Sequence, residues 1–120
     1  MTPANAPERM TDAEYTSRTS SLLAHIEATV DRWLEEDVID IDTHRTGGLL
    51  ELEFPGGTKI VLNTQPPLQE LWLAAPSGGH HFRFVGGRWL DTRNQQDFFT
   101  ALSASASELA GQALEFSPPR

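Results

Sequence analysis

The apolar residues of this 120-residue chain change period once, near Ile39, and that change limits the fold more than any other feature. Before it, Tyr15, Thr19, Leu22, Ile26, Val30 and Trp33 recur at helical spacing with Leu23 and Leu34 beside them, the stripe of an amphipathic helix running to about Glu35. Thr11 and Glu14 stand in capping-box spacing at its start, and Met10 is placed to staple onto Tyr15. After it, apolar and polar residues alternate in short runs, as half-buried strands do. The runs are Ile39–Asp42, Leu50–Phe54, Lys59–Asn63, Glu70–Ala74, His80–Val85 and Arg88–Leu90. Gly47-Gly48, Pro55-Gly56-Gly57, Gly78-Gly79 and Gly86-Gly87 punctuate them as hairpin turns, and Pro66-Pro67 breaks the third run. A second helix is expected from an Asn94 cap to a Gly111 stop, burying Phe98, Phe99, Leu102 and Leu109. Helix, strands, helix in this order predicts an α+β fold: a two-layer α-β sandwich, with an antiparallel sheet of five to six strands and both helices on one face. Residues 1–10 are expected to be a disordered leader, 11–116 the domain and 117–120 a tail, with Met10 an alternative start. Ala113–Phe116 reads as a short extended segment.

The absence of cysteine excludes disulfides, thiolate metal sites and a cysteine nucleophile. The N-terminal residues lack the patterns of signal and transit peptides, and no run is long and apolar enough to span a membrane, so a cytoplasmic location is expected. A net charge of −8 argues against phosphate-directed nucleic-acid binding. Its distribution is more informative. Between Glu27 and Glu53 nine acidic residues face only Arg32 and Arg45, a local balance of −7, which leaves −1 for the rest of the chain. Such a field attracts cations and basic protein surfaces.

Within that stretch Glu27, Asp31 and Glu35 stack at i, i+4 and i+8 on one flank of the helix, and Glu36 and Asp37 extend the cluster past its end. Asp40, Asp42 and His44 share one face of the following run, and the two sets are expected to form a single ridge. Carboxylates at i, i+4 repel one another, and in a last turn they oppose the helix dipole. Local violations of this kind are expected where function overrides stability; the plainer reading is a solvated face that maintains solubility. Hard oxygen ligands suit Mg²⁺, Ca²⁺, Mn²⁺ or iron, and His44 tilts the choice toward a transition metal. An open ridge implies weak, unselective binding. His80 and His81 must point to opposite faces of a strand. His25 has no evident partner, and Asp91 and Asp97 read as turn and helix-start residues.

Leu71 and Leu73 on one face of their strand send Trp72, with Glu70 and Ala74, to the other, so Trp72 is expected to look outward as a protein-contact candidate. The stretch Gly57-Thr58-Lys59-Ile60-Val61-Leu62-Asn63-Thr64-Gln65-Pro66-Pro67-Leu68-Gln69-Glu70-Leu71-Trp72-Leu73-Ala74 resembles the frataxin signature. The similarity runs from Asp12 to about Phe116, through Ile41-Asp42, Gly47-Gly48, Ser77-Gly78-Gly79, Phe82 and Trp89, and is nearest the bacterial branch. The resemblance implies the same sandwich and an iron-binding regulator and adaptor of iron–sulfur cluster assembly. It implies a cysteine desulfurase and the iron–sulfur scaffold protein as partners, weakly bound Fe²⁺ or Fe³⁺, and a monomer with iron-dependent oligomers as the alternative. It assigns Glu27, Asp31, Glu36, Asp40 and Asp42 to iron and the desulfurase, and Asn63, Gln65 and Trp72 to partner contacts. Ala28, Arg32, Leu34 and His44 depart from the acids frequent in the family at those places. Two other readings stay open: a ferroxidase-type enzyme, and an acidic docking module that needs no metal.

Overall fold

The computed structural model describes residues 9–119. Along the chain come α1 (Asp12–Glu35), β1 (Asp42–Thr46), β2 (Leu49–Glu53), β3 (Lys59–Gln65), β4 (Glu70–Ala75), β5 (Gly78–Val85), β6 (Arg88–Asp91) and α2 (Phe98–Ala110), with a 3₁₀ turn at Pro66–Leu68 between β3 and β4. The six strands make one antiparallel sheet in which spatial order follows chain order. Hairpin registers align the inward residues: Leu50 faces Leu62 and Leu62 faces Leu73, while Leu71 faces Phe82. All of these are essentially inaccessible, and they join Leu23, Ile26, Val30, Phe98 and Leu102 in a single core. Both helices therefore cover the same sheet face, as the α+β reading requires.

The expected helical stripe of α1 is buried throughout, except that Leu34, beside it, is 51% exposed. The capping box is present: Thr11 Oγ1 accepts from Glu14 N–H (3.1 Å), and Glu14 Oε1 accepts from Thr11 N–H (3.0 Å). Those bonds hold the Glu14 carboxyl below its ordinary range. Tyr15 ties α1 to the sheet, its hydroxyl donating to the Glu70 carbonyl and accepting from Gln65 N–H. Burial raises the Tyr15 pKa, so the neutral phenol is the form that makes these bonds. Met10 belongs to the fold: it is buried, and its backbone exchanges two hydrogen bonds with the Gln69 amide. Residues 1–8 and 120, most of the expected leader and the end of the tail, lie outside the described residues.

Two boundaries differ from expectation for identifiable reasons. Ile39–Ile41 is not strand. β2 ends at Glu53, opposite Asp42, so the preceding residues have no ladder partner, and Ile39 and Ile41 instead anchor a connection onto the core. The cap of α2 is Asp97, not Asn94: Asp97 Oδ2 accepts from Phe99 N–H (3.0 Å) and Thr100 N–H (3.4 Å), while Asn94 is used in the preceding turn. After Gly111 (φ 66°), whose left-handed backbone ends α2, the extended segment folds back along that helix. Ser107 Oγ bonds both backbone groups of Leu114 and Ser103 Oγ both of Phe116, replacing a strand partner with serine hydroxyls. Phe116 then packs on Trp33 at 4.7 Å between ring centroids. One glycine is required by close approach: a Cβ on Gly48 would sit 1.9 Å from Thr64 Oγ1.

Candidate functional site

The acidic stretch begins on the last turns of α1. Asp31, Glu35, Glu36 and Asp37 are exposed, and none takes part in the ion pairs formed among the described residues. The helix ends where Val38 N–H bonds back to Trp33 C=O (2.8 Å) and Asp37 N–H to Leu34 C=O (3.2 Å), a pattern that needs a left-handed residue. Asp37 supplies it at φ 56°, a position where glycine is the usual choice. Asp40 is exposed on the connection that follows. Leu34 and Val38, 51% and 38% exposed, stand among these carboxylates, so the surface is apolar as well as negative.

The expected single ridge is not what forms. Arg45 faces the helical side, where its guanidinium bonds Glu27 Oε1 (3.0 Å) and Ser20 Oγ (3.1 Å). Glu27 is therefore half-buried in an ion pair rather than open like its helical neighbours. Because Arg45 and Thr43 pair with the buried Leu50 and Leu52, Asp42 and His44 project from the opposite face of the sheet. There they lie across from Glu53 and Glu51, and Lys59 Nζ approaches Glu53 at 3.8 Å. Two acidic fields thus meet at the β1 edge: one on α1 and the connection (Asp31, Glu35, Glu36, Asp37, Asp40), the other on the outer sheet face (Asp42, His44, Glu51, Glu53). Helical spacing alone did not mark Glu51 and Glu53 as part of it; strand pairing did. No group of three His, Asp or Glu side chains among the described residues converges tightly enough to enclose an ion. This arrangement suits cations that keep most of their water.

The outer face of the central strands holds the second feature. Asn63, Trp72 and His81 lie side by side across β3, β4 and β5, as do Gln65, Glu70 and Arg83 in the next row. Asn63, Gln65 and Trp72 are half-buried. Trp72 stacks on His81, centroids 4.2 Å apart and planes 7° from parallel, and its Nε1–H donates to Glu70 Oε1 (2.8 Å). Arg83 Nε donates to Glu70 Oε2 (2.7 Å), and His81 Nδ1 lies 3.6 Å from Oε1. Glu70, expected to be exposed with Trp72, is only 4% accessible. Burial alone would raise its pKa, but hydrogen bonds from Trp72 and Arg83 and the charges of Arg83 and His81 outweigh that and hold it below the ordinary carboxylate value. The i, i+2 spacing of Glu70 and Trp72 shows that they share a face; what brings Arg83 and His81 to them is the β4–β5 register.

His80 turns to the helical side and pairs with Asp91 (3.0 Å), whose Oδ1 also accepts from Arg93 N–H (2.7 Å) and Asn94 N–H (3.3 Å). Burial opposes ionisation of Asp91, yet these bonds lower its pKa, and the whole set holds the β6–α2 turn. His25 bonds the Ser117 carbonyl (2.7 Å), a partner invisible in the spacing of residues. A cleft of about 480 Å³ lies between α1 and the β5–β6 turn, floored by Leu22, Phe84, Trp89 and Phe99. Its one carboxylate, Asp97, is occupied as the α2 cap and as the partner of Arg88 (3.3 Å). No helix among the described residues is long and apolar enough to cross a membrane.

The chain is similar to known proteins in both sequence and fold. The family model described as a frataxin-like domain matches residues 8–112. The iron-sulfur cluster assembly protein CyaY of Paraburkholderia phymatum is 50% identical over 109 residues, 91% of this chain and 100% of that protein. The protein of the same name from a Polaromonas species is 49% identical over 92% of this chain and 95% of its own length. Among solved structures, frataxin from Psychromonas ingrahamii superimposes with a TM-score of 0.79 at 35% identity, covering 91% of this chain and all of that one. Trimeric frataxin from Saccharomyces cerevisiae, complexed with ferrous iron, gives 0.66 at 25% identity over 89% of this chain and 92% of its own.

Proposed function

Since the chain belongs to the frataxin family, we propose that it is a bacterial, cytoplasmic iron-binding adaptor and regulator of iron–sulfur cluster assembly. In this reading the carboxylates of α1 and the connection, Asp31, Glu35, Glu36, Asp37 and Asp40, bind iron weakly and dock a basic surface of the cysteine desulfurase. Asp42 and His44 add a second, adjacent site on the outer face, and Glu27 contributes mainly by positioning Arg45. Asn63, Gln65 and Trp72 contact the scaffold protein. The observation that carries the reading is the exposed run of carboxylates at the end of α1, without ion-pair partners among the described residues and kept against both like-charge repulsion and the helix dipole.

Exposed Leu34 and Val38 favour protein docking at the same place, because apolar side chains add nothing to a purely ion-binding surface. A ferroxidase is disfavoured: the buried carboxylates with lowered pKa, Glu70 and Asp91, are consumed by internal donors, Glu14 is used in the capping box, and the acids at the end of α1 are spread in solvent rather than gathered in a sheltered pocket. Ferrous iron titrated into the isotope-labelled protein is expected to broaden amide resonances from Asp31 to Asp42 selectively. Broadening that is absent or uniform over the surface would eliminate the iron site and leave a metal-independent docking module. Oxygen uptake during the same titration tests the enzymatic alternative.

A further inference from the structure

A carboxylate that is 4% exposed sits on the side of the sheet that no helix among the described residues covers. Burying an ionised carboxylate costs several kcal/mol unless donors compensate, and replacing a whole buried ion pair by apolar residues of similar volume is often neutral or stabilising, so such a carboxylate is weak evidence for a purely stabilising role. Glu70 is compensated by two hydrogen-bond donors, Trp72 Nε1 at 2.8 Å and Arg83 Nε at 2.7 Å, with the His81 ring nitrogen Nδ1 beside them at 3.6 Å. Each of them projects from the same outer face, so one carboxylate organises a surface rather than joining it to the core. A tryptophan on an open strand face would otherwise exchange rotamers, and immobilising such a side chain on association costs about 0.5–1.5 kcal/mol.

We infer that Glu70 is the positioning residue of a docking platform on the outer sheet face: it sets the Trp72 ring against His81, lays Arg83 beside it, and so presents a pre-ordered aromatic surface. With the indole N–H already engaged, a partner meets Trp72 through packing alone. Arg83, with 45% of its side chain accessible, adds a flanking positive charge. The surface therefore fits a protein loop with an apolar tip flanked by carbonyl or carboxylate oxygens. This rests on the reading of Trp72 as a scaffold-docking residue.

The test measures affinity for the iron–sulfur scaffold protein together with the Trp72 indole Nε1–H resonance, assigned with Trp72→Phe. Trp72→Ala and Glu70→Leu are each expected to weaken binding by roughly 10-fold or more, and Glu70→Leu to abolish the hydrogen-bonded shift and exchange protection of the indole proton. Glu70→Gln, whose amide oxygen still accepts from Trp72, should keep the indole signature and bind within about 3-fold of the parent. Undiminished binding by a folded Glu70→Leu that has lost the indole signature overturns the positioning role, and weakened Trp72→Ala then shows that docking itself survives. Should Glu70→Leu fail to fold, a Glu70→Gln protein that keeps the signature yet binds as poorly as Trp72→Ala overturns it as well. Unchanged affinity of Trp72→Ala removes the docking reading itself.

Discussion

The carboxylates at the end of α1 and those of Glu70 and Asp91 solve opposite problems. Asp31, Glu35, Glu36 and Asp37 are numerous, exposed and without ion-pair partners among the described residues, so their effect is a field that ions and basic surfaces feel from a distance. Glu70 and Asp91 are single and almost fully buried; Glu70 is held by two donors with His81 close by, and Asp91 by three donors. Their charge is spent inside the molecule, on a tryptophan's orientation in one case and on a turn in the other. Charge density therefore does not identify which carboxylates the fold depends on; partners do. Removing an acid should cost stability where donors surround it, and binding where none do.

The largest effect is expected at Asp91. Asp91→Ala leaves two backbone N–H groups and His80 without their acceptor and should lower folding stability by about 3 kcal/mol, read by chemical denaturation. A loss below about 1 kcal/mol would mean that the turn is held by other contacts.

Glu70→Gln should cost about 1.5 kcal/mol near neutral pH, because the ion pair with Arg83 is lost. Its pH dependence sharpens the contrast. The folded-state pKa of Glu70 is lowered, so its contribution is complete above the unfolded value of 4.5 and disappears as pH falls from there through the folded value. Parent and variant stabilities should therefore converge in acid; a gap that stays constant would show that Glu70 does not titrate as an ion pair.

On α1 the opposite pattern is expected. Replacing Asp31 and Glu35 together by lysine should weaken desulfurase binding by roughly 10-fold at low salt, less at high salt. Stability should hold or rise by a few tenths of a kcal/mol, since repulsion is relieved and the helix dipole is complemented. Unchanged affinity at low salt would refute the docking role of this surface. Asp37→Gly is the smallest change: relief of the left-handed backbone should stabilise by about 1 kcal/mol or less, as a shift of the denaturation midpoint.

Sequence periodicity was enough for the layer architecture, because burial of one face imposes a helical or alternating rhythm that survives in the residues themselves. The capping box at Thr11 and Glu14, the inward leucines of β2 to β4 and the outward side of Trp72 were all legible on that ground. The acidic balance was legible too, since charge adds without regard to conformation. Which acids act together was not. Whether Glu27 is open depends on Arg45 reaching across from β1, and whether Asp42 and His44 join the helical acids depends on which face of the sheet they take. Likewise Glu70 looked like one more exposed acid until β5 brought Arg83 and His81 against it. Pairing between distant strands and the reach of long side chains are set by register and packing, and neither leaves a period in the chain. The sequence by itself thus determined the sandwich and the sign of its field; only the tertiary structure decided which carboxylates are spent on the fold and which remain for a partner.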